Sequence, residues 1–212
     1  MHKRFSLKNK LILIFGLLIV IATSIEGMLA VRIARNTVIE KVSIHLTDKA
    51  EDTASIIDGN ITSFFQLLAG AARTPLLSDP SVSYEEKTAY LNKEADLNPK
   101  IHKMSLCDMQ GKRHTEDQII DVSDRDFFIA ASQGKNFVTE PIVSRLDGHF
   151  VITFSVPVYD DNHTIVAVLI ATVETKILSD DISNIVVGKT GYCYIIGQTG
   201  TCIGHKDYQF VE

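Results

Sequence analysis

Apolar residues recur at three- and four-residue steps along the first third of the chain: Val31, Ala34, Val38, Val42, Leu46, Ala50, Ala54, Ile57, Ile61, Phe65 and Leu68. That spacing places them on one stripe of an α-helix. Arg32, Arg35, Glu40, Lys41, Asp48, Lys49, Glu51 and Asp52 lie between them and solvate the other face. No proline interrupts the run, and Pro75 supplies a stop. The pattern predicts a stalk helix over residues 32–74. About 40 helical residues would extend roughly 60 Å at 1.5 Å each. For the outer part of this stretch, a helix packed on its own domain fits the pattern equally well.

Ahead of the stripe, residues 11–31 are apolar apart from small or hydroxyl-bearing residues and Glu26. The stretch reaches the length of about 20 residues that crosses a bilayer core. Glu26 falls near its outer end, where a carboxylate reaches the interface. Residues 1–10 hold Lys3, Arg4, Lys8 and Lys10 without an acid. The excess of positive charge predicts a cytoplasmic N-terminus, a single-pass anchor in the inner or plasma membrane contacting the lipid bilayer, and an extracytoplasmic remainder. A cleaved signal peptide opens in the same way. Ile25-Glu26-Gly27 and Met28-Leu29-Ala30 are poor small-x-small cleavage sites, so an uncleaved anchor is expected.

Beyond Pro75 the period changes. Leu76 to Ser83 has loop character, and Tyr84 to Asp96 reads as a helix with Ser83 as cap and Glu86 at the capping-box position. His102 to Cys107 reads as a strand, Asp108 to Gly111 as a turn, and Lys112 onward as the return strand. Asp124 to Gln133 reads as a helix closed by Gly134. A three-strand meander follows. Ile142 to Leu146 leads to an Asp147-Gly148 turn, and His149 to Tyr159 alternates with Phe150, Ile152, Phe154, Val156 and Val158 on one face. Thr164 to Val173 is apolar on both faces, as a central strand requires. A linking helix, Lys176 to Ser183, precedes a hairpin of Gly191 to Ile196 and Thr201 to Gly204. An antiparallel sheet flanked by helices is an α+β arrangement. In the simplest register of that last hairpin Cys202 stands opposite Ile195, which leaves Cys193 and Cys202 as diagonal neighbours poorly placed for a disulfide.

A net charge of −5 argues against a nucleic-acid partner, which selects a basic face. Cys107, Cys193 and Cys202 make neither a disulfide framework nor a metal motif. His102, His114, His149, His163 and His205 show no ligand spacing, and Asp121, Asp124 and Asp126 lack the glycine and terminal Glu of a calcium loop. No metal or cofactor is expected. No Ser–His–Asp, P-loop or paired-carboxylate constellation can be assembled, and no enzymatic activity is expected.

Three local patterns carry a family likeness: Asp124-Arg125-Asp126-Phe127-Phe128; Thr139-Glu140-Pro141 with Phe154-Ser155-Val156-Pro157-Val158; and Gly188-Lys189-Thr190-Gly191-Tyr192 with Gly200 and His205. With the order anchor, long helix, sheet, they resemble the N-terminal part of bacterial chemoreceptors (methyl-accepting chemotaxis proteins) with a double Cache extracellular sensor. The resemblance implies a PAS-like membrane-distal sensor module over residues 75–183 and the beginning of an incomplete membrane-proximal module over residues 184–212. It implies that Arg125, in an Arg-x-Trp-Tyr pocket motif, holds a ligand carboxylate, with Phe127 and Phe128 as aromatic walls. Two positions depart from the amino-acid-binding version of the family: Ile120 stands where it has Tyr, and Thr172 where it has the Asp that takes the ligand ammonium. A carboxylate or other small organic molecule is therefore expected over an amino acid.

The expected function is an extracytoplasmic small-molecule sensor of a transmembrane signal transducer, most naturally a chemotaxis receptor working as a homodimer. The sensor of a histidine kinase or diguanylate cyclase, an exported solute-binding protein with a cleaved signal peptide, and a tethered structural domain remain alternatives. The chain stops just after its last unit has begun, as a fragment or truncated form would.

Overall fold

The computed structural model describes residues 7–211; the basic residues Lys3 and Arg4 lie outside them. The chain divides into two units at Asp52 and Thr53.

Helix α1 spans Leu7–Ala72. In the first unit its apolar side chains are exposed, among them Leu11 to Ile21, Val31, Val38, Val42 and Leu46. This part is long and apolar enough to cross a membrane by length and composition. The hydroxyl of Thr23 donates back to Ile19 O at 2.9 Å, so it needs no water.

In the second unit the last turns of α1 bury Leu68 and Ala72. Thr74 is extended, as the residue before a proline must be, and Pro75 then opens a one-turn helix α2, Pro75–Ser78, where a loop was expected. Helix α3, Tyr84–Asp96, is capped by Ser83, whose hydroxyl accepts from Glu86 N.

The sheet is antiparallel with the order β3-β2-β1-β7-β6-β4, and β5 also pairs with β6. The strands are β1 Lys103–Cys107, β2 Lys112–His114, β3 Ile119–Asp121, β4 Phe137–Val138, β5 Ile142–Val143, β6 Phe150–Tyr159 and β7 Ile165–Glu174. Helix α4, Asp126–Ser132, lies between β3 and β4. The strand expected over Ile142 to Leu146 shortens to β5 because Ser144 to Gly148 curls into a turn, with Gly148 N donating to Ser144 O.

Two cores result. On one face Ile152, Phe154, Val156 and Val158 of β6 and Ala167, Leu169, Ala171 and Val173 of β7 meet Leu68, Leu77 and Leu91 of the covering helices. On the other, Cys107, Val168 and Ile170 meet Phe127, Phe128 and Ala131 of α4. Each fully buried aliphatic side chain contributes about 1.5–3 kcal/mol of transfer free energy. Gly111 closes the β1–β2 turn at φ +80°, where a Cβ would lie 2.4 Å from that of Ser123, so only glycine fits.

Helix α5, Lys176–Ser183, follows β7, and the chain then forms small two-stranded sheets from β8 Val186–Val187, β9 Gly191–Tyr192, β10 Tyr194–Ile196 and β11 Cys202–His205. The expected register is corrected here. Ile195 pairs with Gly204 and Ile196 with Cys202, because the ladder slips at a bulge. All three cysteines are free thiols.

Candidate ligand-binding site

Strand parity decides which side chains share the α4 face. Thr153 pairs with Thr172, Ser155 with Ile170, Ser105 also with Ile170, Arg113 with Cys107, and Ile120 with Arg113. Side chains of paired residues point to the same face. The α4 face is therefore apolar under α4 and polar beyond its N-terminal end, where Ser105, Arg113, Thr153 and Thr172 are all buried. The hydroxyl of Ser155 donates to Phe127 O at 2.7 Å and pins α4 to the sheet.

A small cavity lies over this polar floor, lined by Arg113, Ile120, Val122, Arg125, Phe127, Thr153, Thr172 and the stretch Ile142 to Leu146. Its volume is about 10 Å³, the room of a single water. Arg113 and Leu146 also line a second cavity of about 280 Å³, so the guanidinium stands between the two. The lining of the smaller cavity carries three arginines and no acid.

The three arginines differ in what they already hold. Arg145 is committed to Asp124 by two parallel bonds of 2.6 and 2.8 Å. This exposed fork also holds Asp124 below the usual carboxylate range. Arg125 is half-buried and makes only a long 3.5 Å contact to Val143 O. It pairs with neither Asp124 nor Asp126, since Asp124 is taken by Arg145.

Arg113 is only 4% exposed. Its Nε donates to Ser105 Oγ at 2.6 Å, while its Nη2 has no hydrogen-bond partner. Among the described residues it forms no ion pair. Burial pushes its pKa down to about 10, against weaker support from Asp147 and Cys107. A buried cation without a counter-charge costs several kcal/mol. The same burial, with Asp108 nearby, pushes the Cys107 thiol up to about 12.

Of the residues expected to form a site, Arg125 and Phe127 line this cavity, together with Ile120 and Thr172, the two positions that depart from the family's amino-acid pattern. Phe128 does not; it is packed in the core with Cys107, Val168 and Ile170. Arg113, Ser105 and Thr153 were not foreseen. Lys112 onward reads as the return strand of the hairpin, but only counting parity back from Cys107 across the Asp108–Gly111 turn puts Arg113 inward.

A larger cavity of about 340 Å³ lies on the opposite face, lined mostly by aliphatic and aromatic side chains such as Ile61, Phe64, Ile152 and Phe154. Its carboxylates are engaged: Glu140 accepts from Gln198 N and Asp181 from Asn60. It offers a mainly apolar space, with Lys100 at its wall.

The histidines that show no spacing in sequence are partly brought together. His102 and His149 stack at 5.3 Å between ring centres, beside Glu174.

The Cache domain family matches residues 30–212. Among solved structures, the ligand-binding domain of the Pseudomonas fluorescens chemoreceptor CtaA in complex with L-isoleucine is 19% identical, with a TM-score of 0.65, covering 84% of this chain and 74% of that one. The ligand-binding domain of the Campylobacter jejuni chemoreceptor Tlp3 in complex with 4-methylisoleucine is 17% identical, with a TM-score of 0.60, covering 82% and 73%. At these identities the likeness is one of fold. No curated protein matches the chain in sequence.

Proposed function

This chain belongs to the Cache domain family, and on that premise we propose that it is the extracytoplasmic sensor part of a transmembrane signal transducer, binding a small carboxylate at Arg113 and Arg125 in a cavity that widens from its present room for one water to admit it. The observation that carries the reading is the buried Arg113 guanidinium, whose Nη2 has no hydrogen-bond partner and which lines both a small cavity without acids and a larger one walled also by Asp96, Glu116 and Asp117. A planar guanidinium is suited to a carboxylate, which can take two parallel bonds from it. CtaA and Tlp3 are described with isoleucine and its relatives. An α-amino acid also carries an ammonium, and no carboxylate in this lining would receive it. Ligand class thus divides from those relatives at Thr172.

In this reading residues 11–31 anchor the chain, residues 75–183 form the membrane-distal module and residues 184–212 open a membrane-proximal one. The exposed apolar stripe of α1 supports a homodimer. Signalling requires only that the ligand bind one arrangement of the helices better than another. A methyl-accepting output suits the chemoreceptor fold relatives; a kinase or cyclase output would use the same sensor. The domain acts by binding and not by catalysis. A second reading, favoured by the 340 Å³ cavity, is an apolar ligand held between α1 and the sheet.

The test is thermal unfolding of the full chain in detergent, followed by circular dichroism, with aliphatic carboxylates, amines, amino acids and apolar compounds. A ligand at 100 times its dissociation constant adds about 2.7 kcal/mol. Stabilisation by a carboxylate that disappears in Arg125→Ala supports the proposal. Stabilisation only by apolar compounds, unchanged in that variant, moves the site to the other face.

A further inference from the structure

Three strands end at one corner of the sheet, and the residues there bring two imidazoles and a carboxylate together. His102 donates its backbone N–H to Thr172 O just before β1, His149 precedes β6, and Glu174 is the last residue of β7. One ligand atom from each lies within 4.8 Å of the other two.

The tautomer of His102 follows from its neighbour. Its Nε2 lies 2.9 Å from a carboxylate oxygen of Asp147. An ionised carboxylate only accepts, so Nε2 carries the hydrogen and Nδ1 of the neutral ring keeps its lone pair. That Nδ1 faces Glu174 Oε1 at 3.9 Å, beyond hydrogen-bond reach. Two atoms each about 2.1 Å from a tetrahedral ion stand roughly 3.4 Å apart. Closing the remaining gap asks only for small rotations of His149 and Glu174, both exposed.

We propose that His102, His149 and Glu174 bind one divalent transition-metal ion of the zinc type, leaving a fourth position open to water or a ligand. Two imidazoles and one carboxylate select zinc, nickel or copper over magnesium and calcium. Asp147 supplies the outer hydrogen bond that orients a ligating histidine. It belongs to the β5–β6 turn, whose Ser144, Arg145 and Leu146 wall the carboxylate cavity. Metal binding therefore stiffens that wall by tying it, through His102, to the end of β7. The ion needs no occupant in the cavity, so the two proposals stand or fall separately.

Cobalt(II), titrated into the full tag-free chain in detergent, is the probe. The expected result is one equivalent bound, with the visible bands of a low-coordinate nitrogen and oxygen site, displaced by zinc(II). His149→Ala and Glu174→Gln change exposed side chains and are expected to stay folded by circular dichroism while losing affinity at least tenfold. Asp147→Asn is expected to weaken binding by about 10–100-fold, and His163→Ala, in a surface turn, to leave it unchanged. No cobalt spectrum in the parent, or equal affinity in His149→Ala and Glu174→Gln, overturns the site.

Discussion

On the sheet face covered by α1, α2 and α3, every inward position of β6 and β7 from Ile152 and Val173 onward is apolar, up to Val158 and Ala167. On the face covered by α4 the same two strands present Thr153, Ser155 and Thr172 beside Val168 and Ile170, and β2 adds a buried arginine. Backbone pairing is shared by both faces, so strand geometry cannot explain the difference. The first face is built to hold the domain together. The second gives up apolar contact beyond the N-terminal end of α4 and leaves the Nη2 of a buried cation without a hydrogen-bond partner, which is costly for stability.

That contrast predicts opposite signs for two substitutions. Leu169→Ala, on the first face at a fully buried position, is expected to lose about 2–5 kcal/mol in denaturant unfolding, from lost transfer energy plus the cavity left behind. Arg113→Met removes the buried charge and keeps an apolar chain of similar reach. It is expected to be neutral or to gain up to about 1–4 kcal/mol in the absence of ligand, and to abolish stabilisation by carboxylates. If Arg113→Met loses as much as Leu169→Ala, the two faces do the same work and the contrast fails.

A smaller effect tests the covering helices alone. Ser83→Ala removes the cap of α3 and is expected to cost about 1 kcal/mol, with carboxylate affinity unchanged because α3 packs on the first face. The least perturbing test is chemical. With its thiol pushed up to about 12 by burial, Cys107 is thiolate in roughly one molecule in ten thousand at pH 8. Alkylation of the native chain, read by peptide mass, is expected at the half-buried Cys193 and Cys202 and not at Cys107. Ready labelling of Cys107 would show that the α4 face opens far more than its packing implies.

Much of the fold was legible in the sequence because the strongest signals are local and periodic. The stripe ending at Leu68, the Ser83 cap, the alternation from Phe150 to Val158 and the two-sided apolar run of β7 each follow from one chain segment. The short strands β3 and β4 were not legible: Ile119–Asp121 and Phe137–Val138 are too brief to show a period and are strands only because β2 and β6 lie beside them. The same distinction holds at the site. Arg125 and Phe127 came from a contiguous pattern, whereas Arg113 faces inward because of its register with Cys107 on the neighbouring strand β1. His102, His149 and Glu174 meet only because three strand ends are adjacent, which no linear spacing displays. Phe128 has the aromatic character of a pocket wall, yet the turn of α4 points it into the core.

The central claim is that Arg113 is held for an anionic ligand. The most direct test is calorimetric titration of the full chain and of its Arg113→Met and Arg113→Lys variants with the carboxylate that best stabilises the parent. The account predicts binding in the parent, weaker binding with lysine, which keeps the charge and loses the planar fork, and none with methionine while the domain stays folded. Equal affinity in the parent and Arg113→Met would contradict it and return Arg113 to the status of a structural residue.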